Sequence, residues 1–556
     1  MLLILMLLPD RFILHKRGVA VTLVLGLILW FQGNILVWRY GPLSGHEINW
    51  GGKIIYGLID TPIWIVFLLM AGWRPAFLYR WAKTFALLIL SIQLLSTSVT
   101  AFLQPELPSF KKFRIDHYED FDFSSRENII ILVLDSFQAD VFQEIIDLDP
   151  FYKVFFKDFT FFRNTTGGFP STYAAIPLLL TGHYYNNSEP IQSFMASAYR
   201  SPSSLPYQLL QRGWHVNLVP AVQNTIYYDS SVFSNILARK RSISGSELAR
   251  LYDITLFRYL PHFLKHEIYN DENWFLSSWV QKGDLSLLNE DEPSDNERHG
   301  RRFRRKIYRL SPHVNRNFRQ FGVAQTRKSF QINSDSRFVS AFLMNAAVIT
   351  KKSVFKFYHW RGPHEPIQMN ANLEQVDLPL NRTNIVDLAR GELKLVDLFL
   401  KGLRELDVYD QALIFILADH GHPWGTFGVR LPPALAEKSD GSGSIPKGVL
   451  ESGIPLLLVK RPGDRGELRI NDAPASQIDV SATIFDHLGL GQIGMGEPLF
   501  QIPTDRLRER HFFYYSWEHR NWMNRYLPAL VEYHVMGHSW LPSSWRATGK
   551  VLRPDK

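Results

Sequence analysis

The sequence predicts an α/β protein in which transmembrane helices precede a sandwich of helices around a mostly parallel sheet. Long apolar stretches are confined to about the first 105 of the 556 residues. Two short, continuously apolar runs follow much later, Asn128–Leu134 and Ala412–Ala418, and an aspartate comes directly after each. Runs of this kind are typical of central strands that are covered by helices on both faces.

The N-terminal anchor is predicted from three stretches that each approach the roughly 20 apolar residues that span a bilayer. They are Gly18–Trp38, Ile54–Trp73 and Trp81–Leu103. Buried helices of a soluble protein are the alternative, but three such stretches in series favour a membrane domain over residues 1–105, with Leu2–Leu8 as a short apolar start. A cleaved signal peptide is excluded, because it has one shorter apolar region and a cleavage site.

Positive charge predicts the orientation of this anchor. Basic residues precede the first stretch and surround the connection between the second and third: Arg11, Lys16, Arg17, Arg74, Arg80 and Lys83. The positive-inside rule places these residues in the cytoplasm. We therefore expect a multi-pass protein of the inner or plasma membrane whose chain after about residue 105 is extracytoplasmic.

The remaining chain is predicted to hold a polar linker at 106–127, one α/β domain at 128–500, and an aromatic, basic extension at 501–556. The alternation of apolar periodicities predicts further elements of that domain. They are helices at Ser204–Gly213, Asn384–Leu406 and Ile478–Leu488, and strands at Trp214–Pro220 and Ile454–Val459.

Composition excludes several classes of function. The chain has no cysteine, so it has no disulfide framework, no cysteine-ligated metal and no cysteine nucleophile. Its net charge of +8 is spread over 61 basic and 53 acidic residues. A balance this even does not indicate a nucleic-acid partner.

The first candidate site residues are the aspartates that end the two apolar runs. Active sites of open α/β sheets lie outside the carboxyl ends of the strands, where Asp135 and Asp419 are expected. His420 follows Asp419 directly, which brings an oxygen and an imidazole nitrogen within reach of one divalent cation. The alternative for each aspartate is a turn or a helix cap.

A hydroxyl-bearing segment, GGFPSTYAAIPLLLTG, covers Gly167–Gly182. It predicts a helix with Ser171 or Thr172 at its N-terminus, where backbone N–H groups favour an anion and a hydroxyl can attack a bound electrophile. A simple capping role is the alternative.

A third segment, FYHWRGPHEP, covers Phe357–Pro366 and brings together His359, Arg361 and His364. Such a group suits the binding of a negatively charged ester, and a basic surface loop is the alternative.

The order of these segments, followed by IPLLLVKRPG and QIDVSATIFDHLGL, resembles the alkaline phosphatase/sulfatase superfamily over about residues 128–490. With the apolar N-terminus, the chain is most similar to membrane-anchored members of the lipoteichoic acid synthase and lipid phosphoethanolamine transferase types. The resemblance implies an alkaline-phosphatase-like α/β/α sandwich.

The resemblance also implies the site. In those relatives one divalent metal, Mn or Zn, is held by a carboxylate, a threonine nucleophile and an Asp–His pair, which correspond here to Asp135, Thr172, Asp419 and His420. Thr172 matches better than Ser171 because its spacing to Pro177 and Gly182 is that of the family's nucleophile. His364 matches the substrate-binding histidine of the family's H-x-P segment and is expected to act in catalysis. His359 and Arg361 are expected to bind substrate beside it.

The implied reaction is the transfer of a phosphoglycerol or phosphoethanolamine head group from a membrane lipid donor to a glycan or lipid acceptor, through a phosphothreonine. A phosphoester or sulfoester hydrolase and a catalytically inactive membrane regulator on the same fold are the alternatives. The lack of cysteine excludes the cysteine-derived formylglycine of most sulfatases.

Overall fold

The protein is described from a computed structural model that covers residues 13–40, 43, 48, 50–103, 113–222, 225–238, 245–270, 273–284, 332–423, 425–437, 445–518, 521 and 524–554. The strands are, in chain order, β1 Phe113–Ile115, β2 Asp122–Ser124, β3 Asn128–Leu134, β4 Thr160–Phe162, β5 Thr165–Thr166, β6 His215–Val219, β7 Ile236–Ala238, β8 Tyr269–Asn270, β9 Asn273–Trp274, β10 Ala347–Thr350, β11 Val354–Trp360, β12 Ile367–Met369, β13 Gln375–Leu378, β14 Leu413–Leu417, β15 Leu457–Lys460, β16 Arg469–Asn471, β17 Ala475–Ser476, β18 Arg510–Tyr514, β19 Leu530–Val535 and β20 Trp545–Leu552.

The α-helices are α1 Ile13–Asn34, α2 Ile54–Trp73, α3 Pro75–Leu103, α4 Ala139–Leu148, α5 Phe151–Phe155, α6 Thr172–Thr181, α7 Ile191–Ala198, α8 Leu205–Gln211, α9 Gly245–Tyr259, α10 His262–Ile268, α11 Phe275–Asp284, α12 Ser334–Asn345, α13 Arg382–Glu405, α14 Pro433–Ala436, α15 Lys447–Ser452 and α16 Asp479–His487. The predicted apolar start at Leu2–Leu8 lies outside the described residues.

The described residues form two compact units. One comprises those within Met1–Pro108 and Lys240–Glu292, and the other those within Ser109–Arg239 and Pro293–Lys556. Helices α9, α10 and α11 therefore group with the N-terminal helices, although the chain reaches them from strand β7 of the second unit.

The second unit is built on a mixed sheet that, among the described residues, has the strand order β16-β4-β15-β14-β3-β11-β6. Strand β3 lies between β14 and β11 and runs parallel to both, with Ile131 opposite Phe415 and Phe357. Because parallel neighbours end at the same edge, the carboxyl ends of these three strands meet. The predicted α/β fold is confirmed.

Both faces of the central strands are buried, as the apolar runs predicted. Along β3, residues alternate between two apolar cores, Ile130 and Leu132 on one face and Ile131 and Val133 on the other. Helix α13 covers the first face and helix α6 lies against the second. A strand that is apolar at every position is stable only between two such layers.

Several predicted boundaries agree closely with the observed ones. Strand β3 coincides with the prediction at Asn128–Leu134. Helix α13 begins two residues before the predicted Asn384, because the Asn381 side chain accepts the Asn384 backbone N–H at 3.0 Å and caps it. Strand β15 begins at Leu457 rather than Ile454, and Pro455, which has no N–H to donate, lies in the segment between.

In the first unit, two described helices are long and apolar enough to cross a membrane: Arg17–Asn34 and Gly51–Trp73. A third crossing is counted only if Pro75–Trp81 and Thr84–Val99, which are bent by 51° relative to each other, form one span. Length and composition thus support two of the three predicted spans directly and the third through a bent helix.

A buried polar cluster joins α1, α2 and the insert of α9–α11. The Asp60 carboxylate in α2 accepts the Trp38 indole N–H at 2.6 Å and the His262 backbone N–H at 2.9 Å. The Gln32 side-chain amide lies 3.4 Å from the same carboxylate and accepts the Trp64 indole N–H at 3.0 Å. A carboxyl group inside an apolar helix is tolerated because these donors satisfy it.

Candidate active site

The carboxyl ends of β3, β11 and β14 bring together three side chains that are far apart in sequence. Asp135 follows β3, His359 lies one residue before the end of β11, and Asp419 comes two residues after β14. All three are buried, and one ligand atom from each lies within 4.8 Å of those from the other two. The strand order therefore creates this cluster, as expected for an open α/β sheet.

His420 completes the cluster. Its Nε2 lies 3.4 Å from Asp419 Oδ2 and 3.6 Å from Asp135 Oδ1. Its Nδ1 lies 2.6 Å from the carbonyl oxygen of Gly421 and donates to it. A ring nitrogen that is hydrogen-bonded to a carbonyl oxygen carries the proton, so Nε2 is the nitrogen with a lone pair that can bind a metal.

The residues fit a divalent metal. Asp419 Oδ1 accepts the backbone N–H groups of Ser136 at 3.3 Å and of His420 at 3.0 Å, whereas Asp419 Oδ2 is buried without a hydrogen-bond partner. Both ring nitrogens of His359 are likewise buried without a hydrogen-bond partner. Buried polar atoms without partners are costly, and a shared cation is the simplest group that satisfies a carboxylate and an imidazole together.

The helix that follows the glycine pair places one hydroxyl in this cluster. Thr172, the first residue of α6, has its Oγ1 at 3.2 Å from His420 Nε2 and at 3.4 Å from Asp135 Oδ2. Ser171 precedes it, and its hydroxyl lies 2.5 Å from the Tyr515 hydroxyl instead. Of the two hydroxyls left open by the residue pattern, the structure therefore brings Thr172, not Ser171, to the carboxylates.

The segment after β11 holds the remaining predicted residues. His364 Nδ1 lies 2.6 Å from the carbonyl oxygen of Glu365 and donates to it. The guanidinium of Arg361 lies 3.3 Å from Gln368 Oε1 and 3.4 Å from the carbonyl oxygen of Pro366. His359, predicted as a substrate-binding residue, therefore lies among the candidate metal ligands. The guanidinium of Arg361 instead contacts residues of the same segment.

Charge in the site is concentrated on the carboxylates and imidazoles. Burial by itself raises the pKa of Asp135, but the nearby His364 and His359 hold that pKa below its ordinary value. Burial lowers the pKa of His364, and the charges of Glu365 and Asp135 outweigh it, so the pKa is raised. The site therefore favours an ionised Asp135 and a protonated His364, which suits an anionic substrate.

Two glycines allow close approaches of backbone at the site. Gly362 has a φ of 58°, and a Cβ there would lie 2.8 Å from the backbone nitrogen of Asp135. At Gly421, a Cβ would meet the carbonyl oxygen of Glu451 at 2.0 Å. Both positions require glycine because another strand or loop backbone passes directly beside them.

Sequence reasoning did not single out two residues that fix the site. The Gln477 side-chain amide donates to the carbonyl oxygens of Ala418 and Asp419, and its Oε1 accepts the Gly168 backbone N–H at 3.1 Å. Gln477 therefore ties the Asp–His loop to the loop before α6. Tyr515, the residue directly after β18, holds the Ser171 hydroxyl. The signal for Gln477 was its position at the start of the QIDVSATIFDHLGL segment, whereas no pattern marked Tyr515.

Comparison with known proteins gives one family and several distant structures. The family model described as Sulfatase matches residues 127–490. The phosphonate monoester hydrolase SpPMH from Silicibacter pomeroyi is 14% identical, with 74% of this chain and 87% of that chain covered and a TM-score of 0.39. The phosphonate monoester hydrolase of Agrobacterium radiobacter is 12% identical, with 76% and 88% covered and a TM-score of 0.38.

The lipoteichoic acid synthase LtaP from Listeria monocytogenes is 13% identical, with 77% of this chain and 89% of that chain covered and a TM-score of 0.35. At TM-scores this low, the three structures add no argument about the site. No curated protein matches the chain.

Proposed function

The chain belongs to the sulfatase family and is an enzyme of the alkaline phosphatase/sulfatase superfamily, and within it we propose a membrane-bound phosphotransferase. The proposed donor is a membrane phospholipid, the transferred group a phosphoglycerol or phosphoethanolamine, and the acceptor a hydroxyl of a glycan or lipid. The proposed covalent intermediate is a phosphothreonine at Thr172.

The observation that carries this proposal is the environment of Thr172. Its hydroxyl lies at a helix N-terminus, buried, within 3.4 Å of the Asp135 carboxylate and 3.2 Å of the His420 imidazole. A hydroxyl becomes a nucleophile when its proton has an acceptor and the developing charge is stabilised. The helix N-terminus in addition favours a bound phosphoryl group.

Enzymes of this family use a metal ion, and the cluster holds candidate ligands for one. The residues proposed to hold it are Asp135, Thr172, Asp419 and His420. His359, whose Nε2 lies 3.5 Å from Asp135 Oδ2, is proposed as a further donor. A bound Mn or Zn supplies Lewis acidity, which lowers the pKa of a coordinated hydroxyl and polarises a phosphoryl oxygen.

In the proposed first step, Thr172 Oγ1 attacks phosphorus and gives its proton to the Asp135 carboxylate, to which it donates at 3.4 Å. The new O–P bond forms as the P–O bond to the diacylglycerol breaks. His364 is proposed to give its proton to the leaving oxygen, because its raised pKa favours the protonated form. Arg361 is proposed to neutralise phosphoryl charge. In the second step an acceptor hydroxyl attacks the phosphothreonine and gives its proton to His364, and the Thr172 oxygen leaves and regains its proton from Asp135.

Contacts of the α9–α11 insert within the first unit support the proposed orientation. The insert packs against the end of α1 and the start of α2. Arg258 Nε donates to the Gly33 carbonyl oxygen in α1 at 2.8 Å. The His262 ring lies so close to Gly57 in α2 that a Cβ added there would be 2.9 Å from it. The connection between α1 and α2 lies at that same end, which the positive-inside rule makes extracytoplasmic.

The orientation is testable because the chain has no cysteine of its own. A single exposed cysteine would be introduced at one of two positions, Lys351→Cys in the second unit or Arg80→Cys in the second turn of α3. Intact cells would then be treated with a membrane-impermeant maleimide. We expect Lys351→Cys to react at once and Arg80→Cys to react only after permeabilisation. The reverse pattern would overturn the proposed topology.

The activity is tested with the full-length protein in vesicles that contain phosphatidylglycerol and phosphatidylethanolamine, with and without Mn or Zn. We expect metal-dependent release of diacylglycerol, with the phospho-head group recovered on an acceptor. Recovery of free glycerol phosphate or phosphoethanolamine in its place would indicate hydrolysis. No release from any lipid, with the site intact and metal bound, would contradict the proposed donor class.

A further inference from the structure

Strands β18, β19 and β20 form a three-stranded sheet, the C-terminal sheet, which carries a second group of carboxylates and imidazoles apart from the candidate active site. In the antiparallel pair β18 and β19, His511 lies directly opposite His534. Glu532 lies two residues before His534, and Glu509 two residues before His511. Because side chains on a strand alternate between faces, His511, Glu532 and His534 share one face of this sheet. Glu509, directly before β18, lies beside both imidazoles on that face. We call Glu509, His511, Glu532 and His534 the C-terminal cluster.

The four side chains form a closed ring in which carboxylates and imidazoles alternate. His511 Nδ1 lies 3.3 Å from Glu532 Oε1, and its Nε2 lies 3.8 Å from Glu509 Oε1. His534 Nδ1 lies 3.1 Å from Glu509 Oε2, and its Nε2 lies 3.9 Å from Glu532 Oε2. Each imidazole therefore faces two carboxylates, and each carboxylate faces two imidazoles.

These separations suit a shared metal better than a set of hydrogen bonds. N–H···O hydrogen bonds are about 2.7–3.2 Å long, and three of the four separations exceed that range. Tetrahedral Zn²⁺ bound to nitrogen and oxygen at about 2.0–2.1 Å places its ligand atoms about 3.3 Å from one another. Ligand atoms of Glu509, His511 and His534 all lie within 4.8 Å of one another, so small side-chain movements suffice to close on an ion.

The surroundings of the cluster provide an outer shell. Glu532 is only 7% exposed, and its Oε2 accepts the Thr548 hydroxyl at 3.0 Å. Outer hydrogen bonds of this kind fix the orientation of a metal-ligating carboxylate. The carbonyl oxygen of His511 accepts the Tyr184 hydroxyl at 3.4 Å, which anchors β18 to the rest of the unit.

We propose that Glu509, His511, Glu532 and His534 form a structural zinc site that clamps strands β18 and β19. The donor set of two imidazoles and two carboxylates is one that Zn²⁺ accepts, and it fills four positions without leaving one for a substrate. The clamp would hold the strand from which Tyr515 reaches Ser171. This proposal is independent of the proposed phosphotransfer, since it concerns metal content and stability alone.

The test is the zinc content of the purified full-length protein in detergent, measured by elemental mass spectrometry after loading with Zn²⁺ and desalting. We expect two zinc ions per chain in the wild type and one in the double variant His511→Gln/His534→Gln. The variant Asp419→Asn/His420→Gln should retain one ion, at the C-terminal cluster. In this second variant, adding His511→Gln/His534→Gln should remove the last ion.

Two further variants keep the test decisive if the double variant fails to fold. Glu509→Gln changes an exposed ligand, so it should fold and lose the second zinc. His487→Gln changes a histidine that lies 3.7 Å from the single carboxylate of Glu127 outside the cluster, and it should keep both ions. Equal zinc content in the wild type, Glu509→Gln and His511→Gln/His534→Gln would overturn the proposal.

Discussion

Within the part of the chain that the structure describes, two groups of carboxylates and imidazoles could hold a metal ion, and they differ in what surrounds the ligand atoms. In the candidate active site, Asp135, His359 and Asp419 come from three separate strands, are buried, and lie beside a hydroxyl at a helix N-terminus. The C-terminal cluster comes from two paired strands, and three of its four members are 31–44% exposed. The same ligand types thus occur in a place suited to chemistry and in a place suited to holding strands together.

A threonine hydroxyl lies beside each group, and the surroundings of the two hydroxyls differ in the same way as those of the two groups. The Thr172 hydroxyl is buried between a carboxylate and an imidazole at the start of α6. The Thr548 hydroxyl is exposed on strand β20 and donates to Glu532, so it supports a ligand and has no helix N-terminus behind it. Position relative to strand ends and helix starts, more than residue type, separates a nucleophile from an outer-shell donor.

Substitution of the two threonines gives the largest expected contrast. Thr172→Ala should lower the rate of diacylglycerol release at least about a thousandfold, because it removes the proposed nucleophile. Thr548→Ala should change that rate by less than about twofold. Thr172→Ser, which keeps a hydroxyl, should retain measurable activity. A Thr172→Ala enzyme with near wild-type turnover would mean that the hydroxyl is not the nucleophile.

A comparison of one carboxylate from each group gives the next largest effect. Asp419→Asn should lower activity by on the order of a hundredfold, because it weakens a proposed ligand of the catalytic metal. Glu509→Gln should have a much smaller effect on activity, because Glu509 lies outside the proposed catalytic centre. In the wild type, a chelator should abolish turnover and added Mn or Zn should restore it. Turnover that is insensitive to both the chelator and Asp419→Asn would show that the reaction does not need the proposed metal.

A smaller effect is expected at Gln477, which positions the active site without reaching its centre. Gln477→Leu should lower kcat about tenfold with little change in KM, and cost about 1–3 kcal/mol of folding stability, because the Gly168 N–H loses its acceptor. Gln477→Glu, which keeps an acceptor, should recover part of kcat. Gln501→Leu, which removes an exposed hydrogen bond to Asp486, serves as the matched control and should change neither.

Much of the fold and of the candidate site could be predicted, because the apolar pattern marks the central strands and the candidate residues lie directly at the ends of those strands. The fully apolar run Asn128–Leu134 predicted the buried strand β3, and the position of Asp135 directly after it predicted where that carboxylate lies. The Asp–His pair followed in the same way from β14. These positions could be predicted because each residue is adjacent in sequence to a strand end, so no contact between distant segments had to be known.

The rest depended on contacts between distant segments. The place of His359 among the candidate ligands follows from the pairing of β11 with β3, which sequence spacing does not specify. The ring of Glu509, His511, Glu532 and His534 depends on the register of β18 and β19, where a shift of one residue would put the histidines on opposite faces. The grouping of α9–α11 with the N-terminal helices likewise arises from tertiary packing.

The central claim is a phosphothreonine at Thr172, and its most direct test is mass spectrometry of the enzyme stopped during turnover on phospholipid. Trypsin releases Ser171 and Thr172 together in the peptide Asn164–Arg200, so fragmentation must locate the added mass. We predict a phospho-head-group adduct on Thr172, absent from Thr172→Ala and removed when acceptor is added. An adduct located on Ser171 or another residue, or sustained diacylglycerol release by Thr172→Ala, would contradict the account.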